Sequence, residues 1–343
     1  MQKAVFGSLA IFLLCSCAKP VASASAGVRE ESVRFRNGDI SLAGTLFLPD
    51  GPGPHPAVVL YHGSGPNARN SFMAHWFAEQ GVAALAYDKR GYGDSTGDFR
   101  AVPFMALVDD GLAGIAFLKA RNDINPSRIG VWGISQGGWL GPLAASRSKD
   151  VAFVIAISGP GVSPGDQMVF YWGRQLRDDG LSEEQVAAAS DVRRKVWHYL
   201  ETGEGYDEAN QALQQGRSQP WYAALKQQHD GVFDAYPPSR ILHEPSLRES
   251  RWFRQEAVYD PRVALRKLTV PALFVFGDRD ELVPVGESVD IIRHTLVESG
   301  VKDFAIKVFP NADHGIRVDG DGGRQFATGY LATVRDWLRK RFQ

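Results

Sequence analysis

The sequence predicts an α/β protein: a mostly parallel, doubly wound sheet with an antiparallel N-terminal hairpin and a helical insertion in its second half. Three observations carry that prediction. Short apolar runs, Ala57-Val58-Val59-Leu60-Tyr61 among them, are continuous rather than alternating, as in strands buried on both faces. Segments of helical spacing separate these runs, and alternation of strand with helix builds a parallel sheet. Between residues 162 and 260 the strand signal stops, and Gln, Glu, Arg and isolated aromatics take over.

Val33-Arg34-Phe35 and residues 42–48, joined through Asn37-Gly38, read as the hairpin, because Asn-Gly readily takes the positive φ of a tight turn. Residues 57–61 are the first buried strand and lead straight into His62-Gly63-Ser64-Gly65-Pro66. Residues 72–80 read as a helix and 82–87 as the next strand. The turn after it lacks the G-x-x-x-x-G-K-[ST] spacing, and its glycines at 91, 93 and 97 miss G-x-G-x-x-G by one residue, which argues against nucleotide binding. A helix over 107–119 precedes the strand Arg128-Ile129-Gly130-Val131-Trp132, the turn Gly133-Ile134-Ser135-Gln136-Gly137 and a helix from about Gly138.

Residues 152–157 are the fourth buried strand. In the insertion, Ser182-Glu183-Glu184-Gln185 is a capping-box start, with Val186, Ala189, Val192, Val196 and Leu200 following at helical spacing. Trp172, Trp197, Trp221 and Trp252 fall in this stretch, and most of them are expected to pack it onto the core. The sheet resumes at 271–276, followed by a helix over 286–298, a strand over 304–309 and a closing amphipathic helix over 325–339.

At 343 residues and 44% hydrophobic content the chain can bury a large core, as one large domain with an insertion or as two domains. Its 38 basic and 39 acidic residues nearly cancel, and no basic stripe stands out. That balance speaks against nucleic acid as a partner and against electrostatic attachment to a membrane surface. At the N-terminus, Lys3 precedes an apolar run over residues 4–14, built as a secretory signal is and too short to span a bilayer. Leu14-Cys15-Ser16-Cys17 resembles a bacterial lipobox, and Cys17, preceded by a small residue, fits the lipidated position where Cys15 does not.

The reading is therefore a protein exported from a bacterial cytoplasm and lipid-anchored at the envelope, its domain facing the periplasm. Cleavage after Ala24 or Ala26 is the alternative and would discard both cysteines; either way no pair remains for a disulfide. The expected division is a signal peptide over 1–16, a tether over 17–30, a core over 31–161 and 261–343, and a helical cap insertion over 162–260.

Chemistry gathers around Ser135. Glycines two before and two after let the backbone turn sharply between strand and helix, pushing the hydroxyl out at the sheet edge. G-x-S-x-G alone is a weak signal, since a Gly-rich turn whose serine caps the next helix reads the same. Acyl transfer through serine also needs a base to take the hydroxyl proton and a carboxylate to orient that base. Reacting groups of doubly wound sheets gather at the carboxyl ends of strands. Ser135, Asp280 and His314 each fall just past an expected strand, and of the eight histidines only His314 follows the last one. No cluster of His, Cys or carboxylates has metal-ligand spacing, so neither metal nor other cofactor is expected.

Six pieces, in order, resemble the α/β-hydrolase superfamily, close to bacterial serine esterases and the serine-aminopeptidase-like branch. They are Leu42-Ala43-Gly44-Thr45-Leu46, His62-Gly63-Ser64-Gly65-Pro66, the run from Asp88 to Ser95, Gly133-Ile134-Ser135-Gln136-Gly137-Gly138, the run from Gly277 to Pro284, and Asp313-His314-Gly315. The resemblance covers the chain from about residue 30 on, and the order Ser, Asp, His is the one it expects. It implies an α/β-hydrolase fold and a serine hydrolase cleaving a small-molecule carboxylic ester through an acyl-enzyme. Ser135 would be nucleophile, His314 general base and then acid, and Asp280 the orienting carboxylate.

The resemblance also implies oxyanion donors in the backbone N–H groups of Gln136 and Ser64, with Gly65 the alternative to Ser64. His62 would hold its loop, and Asp88 and Arg90 a structural turn. Asp278 also follows the strand, but Gly-x-x-Asp-x-x-Val-Pro lands on Gly277, Asp280, Val283 and Pro284, and Asp278 is better placed to bond its own turn. Asp313 adjoins His314, and adjacent side chains seldom face each other.

A serine aminopeptidase on the same scaffold would have to bind a substrate ammonium, with Glu201, Glu204 and Asp207 among the carboxylates on offer. An acyl-CoA thioesterase is disfavoured by export, and a dehalogenase would need Asp at position 135. A non-catalytic binding protein on this fold would be expected to have lost part of the Ser-Asp-His set.

Overall fold

The continuous apolar runs become the inner strands of one eight-stranded sheet. A computed structural model of the chain describes residues 27–99, 102–227, 256, 258–320 and 322–342. The strands are β1 (Val28–Asn37), β2 (Ile40–Pro49), β3 (His55–Tyr61), β4 (Ala83–Tyr87), β5 (Ile124–Ile134), β6 (Val154–Ile157), β7 (Ala272–Gly277) and β8 (Phe304–Phe309). Their order is β1-β2-β4-β3-β5-β6-β7-β8. β2 is antiparallel to both its neighbours, and all pairs from β4 to β8 are parallel. This is the expected α/β-hydrolase architecture, with its antiparallel N-terminal hairpin.

Asn37 pairs with Ile40, so the two-residue turn of that hairpin is Gly38-Asp39 rather than Asn37-Gly38. Gly38 takes the positive φ, 57°, at the first loop position, where a type II′ turn requires it. From β3 the chain steps to β4 on one side and then to β5 on the other. The order therefore reverses between β3 and β5, and it is beyond the carboxyl ends of the strands at such a reversal that sheets of this kind gather reacting groups.

Helices cover both faces of the sheet. Helices α1 (Ser71–Glu79) and, at the end of the chain, Tyr330–Phe342 send Met73, Phe77, Val334, Trp337 and Leu338 against Val58, Leu60, Trp132, Ile155 and Val275. Strand residues of the opposite parity face the other way. Val59 and Leu85 meet Gly114 of α2 (Phe104–Lys119), and Val131 and Val154 meet Gly141 of α3 (Gln136–Arg147).

The described residues divide into two compact units: those within Val162–Tyr259 form one, and those within Phe12–Gly161 and Asp260–Gln343 the other. The first holds α4 (Pro164–Asp178), α5 (Glu183–Thr202), α6 (Tyr206–Gly216) and α7 (Pro220–Gln227). Ser182 and Gln185 close the capping box of α5 in both directions, and Val186, Ala189, Val192, Val196 and Leu200 are all buried. Trp172, Trp197 and Trp221 pack into this unit's own cluster, where packing onto the sheet core was expected. Trp197 meets Trp172 edge to face at 5.0 Å, and the Arg193 guanidinium lies 3.8 Å above the Trp172 ring. Trp252 lies outside the described residues.

Among the described residues the remaining helices are α8 (Pro261–Leu265), α9 (Val285–Glu298) and α10 (Tyr330–Phe342). The closing helix thus starts five residues later than the sequence suggests, because β9 (Arg317–Gly320) and β10 (Gly323–Phe326) form a separate hairpin before it. Phe326 anchors β10, its ring tilted against those of Tyr330 and Phe72 at 5.3 and 5.6 Å, while Gly323, Arg324 and Gln325 are exposed. Too few apolar residues alternate there to announce a strand. Among the described residues, no helix is long and apolar enough to cross a membrane.

Asp88 and Arg90, expected to be structural, are held just past the carboxyl end of β4 by ion pairs to Arg69 and Asp110. Arg90 reaches Asp110 of α2 with Nε at 2.6 Å from Oδ2 and Nη2 at 2.5 Å from Oδ1, and Asn37 Nδ2 donates to the same carboxylate at 2.9 Å. Both ions are buried, so removing one strands the other in a medium that solvates it poorly. Asp110→Leu is expected to cost about 3–5 kcal/mol in urea denaturation, and Arg90→Met in the same background to restore most of that. A single-mutant loss below about 1 kcal/mol would contradict this account of the pair.

Candidate active site

Ser135 stands at the end of β5 with φ 56° and ψ −117°, a conformation that L residues rarely adopt. The turn is held because three backbone segments meet around it. A Cβ on Gly133 would stand 2.2 Å from the Gly137 carbonyl oxygen, and one on Gly137 would stand 2.9 Å from that of Tyr61. Only glycine fits at these two points. Ser135 N–H donates to Ile157 O of β6 at 2.9 Å, and its carbonyl accepts from Gly138 N–H at 2.7 Å as α3 begins. Its side chain makes no cap to α3, so the helix-capping alternative for this serine does not describe it.

Of the aspartates near His314, Asp280 makes the contact. His314 Nδ1 lies 2.7 Å from Asp280 Oδ2, and the Asp280 side chain is fully buried. A carboxylate oxygen can only accept here, so Nδ1 carries the proton and Nε2 is left with its lone pair for chemistry. The other oxygen, Oδ1, accepts the N–H groups of Leu282 and Val283 at 2.8 and 3.1 Å. The turn-bonding expected of Asp278 thus falls to Asp280. Asp278 is exposed, and its backbone N–H donates to Phe309 O. Asp313 faces away from the imidazole, its Oδ1 accepting from Gly315 and Arg317 N–H and its Oδ2 pairing with Arg324.

One residue links the Ser135 and His314 backbones that sequence reasoning missed. Ser158, at φ 48° and fully buried, follows directly on Ile157, which accepts from Ser135 N–H; Ser158 Oγ donates to His314 O at 2.9 Å. Its only signal in the sequence was a serine just past a strand.

The loop after β3 lies beside the serine: a Cβ on Gly63 would stand 3.7 Å from Ser135 Cβ. His62 anchors it, donating from Nε2 to Tyr87 O at 2.6 Å and meeting the Tyr87 ring edge on at 4.6 Å. Burial, helped by the nearby Lys89 charge, lowers the His62 pKa to about 3, so the ring stays neutral. Asn67 Nδ2 donates to the carbonyls of Gly63, Ser64 and Gly65, and the buried Lys89 Nζ donates to Gly63 O, Gly65 O and Gln136 Oε1. Gln136 is the first residue of α3, so its N–H has no acceptor within the helix. Beneath the loop, burial would raise the Asp88 carboxyl, but Arg69 and the N–H groups around it hold it below the ordinary value. Among the described residues no group of three or more His, Cys, Asp or Glu could hold a metal ion. Cys17 lies outside the described residues.

Residues 52–321 match the model of a protein family described as serine aminopeptidase, S33. The chain belongs to this family. Among curated relatives, the esterase EstD of Thermotoga maritima is 25% identical over 303 residues, covering 84% of this chain. The match spans only 61% of that esterase's length. Solved structures of the same fold include the alpha/beta hydrolase GrgF from a Penicillium species, with a TM-score of 0.56 at 19% identity, covering 91% of this chain and 98% of that one. An esterase from Pyrococcus furiosus matches with a TM-score of 0.56 at 16% identity over 91% of each chain. The protein is therefore an α/β hydrolase of the S33 family.

The buried, neutral His62 has a thermodynamic consequence. Unfolded, its imidazole takes up a proton near pH 6.5; folded, it refuses one until about pH 3. Stability is thus unaffected by His62 above pH 6.5 and lost as pH falls through that window, with a slope of up to about 1.4 kcal/mol per pH unit. In urea denaturation across pH 4–7, His62→Gln is expected to have a shallower acid slope than the wild type by up to that amount. Parallel slopes would rule the account out.

Proposed function

We propose that this protein is an exported serine carboxylesterase. The observation that carries the reading is the 2.7 Å bond from His314 Nδ1 to the buried Asp280, in a chain whose Ser135 occupies a strained strand-to-helix turn. Ester hydrolysis uses these groups as follows. His314 Nε2 takes the Ser135 hydroxyl proton as Oγ attacks the ester carbonyl carbon. The negative charge that moves to the carbonyl oxygen is met by backbone N–H groups of Gln136 and Ser64. Collapse breaks the bond to the alcohol, which leaves with the proton from His314. Water then enters, gives a proton to His314 and attacks the acyl carbonyl carbon; collapse breaks the bond to Ser135 Oγ, which takes the proton back from His314, and the acid leaves. Asp280 keeps Nε2 free to serve as the base and stabilises the imidazolium formed in each half.

An aminopeptidase is the second reading, favoured by the name of the family and by one feature of the helical unit. Burial, with the Asp166 charge nearby, raises the Glu201 pKa to about 7, and a substrate ammonium would restore that carboxylate's charge. A panel of p-nitrophenyl esters beside aminoacyl p-nitroanilides, assayed on the purified full-length protein, decides between the two. Turnover of the esters alone is expected; preference for the anilides would reverse the assignment.

Ser135→Ala should abolish ester turnover by about 10⁵-fold or more while the protein stays folded. Asp280→Asn should lower kcat by about 10⁴-fold through the wrong imidazole tautomer, and Asp278→Asn should stay within about tenfold of wild type. More than a tenth of wild-type activity in folded Ser135→Ala, or a greater loss from Asp278→Asn than from Asp280→Asn, would refute the mechanism.

Export and anchoring form the other half of the proposal. Leu14-Cys15-Ser16-Cys17 supports a mature chain that starts at a lipidated Cys17, since acyl chains added there bury enough CH₂ groups for stable attachment. Mass spectrometry of the envelope fraction is expected to find the lipid on Cys17, and Cys17→Ser to block processing. An unmodified N-terminus beyond residue 17 would disprove it.

A further inference from the structure

We propose that Lys89 is a positioning residue that aims and strengthens the Ser64 N–H as an oxyanion donor; the proposal rests on the serine-hydrolase reading above. The juxtaposition behind it is a buried ammonium lying between the residues that would carry the two donors. Lys89, 2% exposed, donates from Nζ to Gly63 O at 2.9 Å, to Gly65 O at 3.1 Å and to Gln136 Oε1 at 2.8 Å.

In a trans peptide the carbonyl and the N–H of one unit point in opposite directions. Gly63 O and Ser64 N–H share a unit, so fixing the first directs the second. The neighbouring units behave differently. Gly65 O belongs to the unit with Pro66, which has no N–H, so the bond there anchors the loop without aiming a donor. Ser64 O, whose unit carries the Gly65 N–H, is held by Asn67 Nδ2 at 2.8 Å. Through the carbonyls it holds, Lys89 therefore acts on Ser64 N–H and not on that of Gly65.

A charge does more here than a neutral donor. Burying an ammonium forfeits its hydration, and Asn67, a neutral amide, already donates to all three loop carbonyls. What the charge adds is polarisation. A cation on the carbonyl end of a peptide makes the N–H at the other end a stronger donor, and the effect is largest where water is excluded. The same ammonium secures the Gln136 side chain, at the first residue of α3.

The test compares wild type with Lys89→Met in the full-length protein, by kcat and KM on a p-nitrophenyl ester, by the inhibition constant of an alkyl boronic acid, and by the rate of Ser135 labelling with a fluorophosphonate. Expected are a fall of about 10-fold to 100-fold in kcat and labelling rate, a boronate weakened by a similar factor, and KM within about threefold. A kcat within about twofold of wild type, or a rise in KM with boronate affinity unchanged, would overturn the proposal and leave Lys89 a loop anchor. Should Lys89→Met not fold, Lys89→Gln, neutral but still a donor, is expected to show the same pattern; if neither folds, the residue serves the fold and the proposal fails. A wild type that labels but turns over no ester sinks the esterase reading alone, and the ratio of labelling rates then decides on Lys89. A wild type that does not label sinks both.

Discussion

A serine at φ 56° stays there only if its surroundings leave it no better place, and the close meeting of backbones at the ends of β3, β5 and β6 supplies that constraint. Gly133 and Gly137 are the two points where a methyl group would collide with a neighbouring carbonyl oxygen. The hydrogen bond from Ser135 N–H to Ile157 O then locks the turn to β6. Everything else in the candidate site is referred to this fixed corner. The loop after β3 packs against it, and Ser158, the next residue along β6, bonds the backbone of His314.

The turn after β4 is a second centre of order. Asp88, Lys89 and Arg90 are three consecutive buried charges, each with its own partners in a different direction. Asp88 holds Arg69, Lys89 holds the loop carbonyls, and Arg90 holds Asp110 of α2. A run of charges normally marks solvent, yet here each is matched by hydrogen bonds that offset part of its lost hydration. These contacts join β4 to α2 on one side and to the loop beside Ser135 on the other.

The parts of the fold that depend on local pattern were legible in the sequence. Buried strands announce themselves as apolar runs, so β3, β4, β7 and β8 fall within a residue or two of where the runs lie. The capping box at Ser182 is written in four consecutive letters. Ser135, Asp280 and His314 could be singled out because each follows a strand. What the sequence hid depends on contacts between distant residues. Ser158 acts across 156 positions, and Lys89 reaches residues 26 and 47 positions away. The β9–β10 hairpin hid for the opposite reason: its strands are short and mostly solvent-facing, so no alternation of apolar residues betrays them.

Asp280 divides its two oxygens between tasks, Oδ2 to the imidazole of His314 and Oδ1 to the N–H groups of Leu282 and Val283. A carboxylate gripped on both sides cannot swing about its χ2 axis, and the ring bonded to it loses that freedom as well. The disorder of the imidazole is therefore surrendered once, when the chain folds, and not again each time a ligand arrives. A glutamate there would have to fold away one extra methylene to keep both sets of bonds. At this corner the length of a side chain matters as much as its charge.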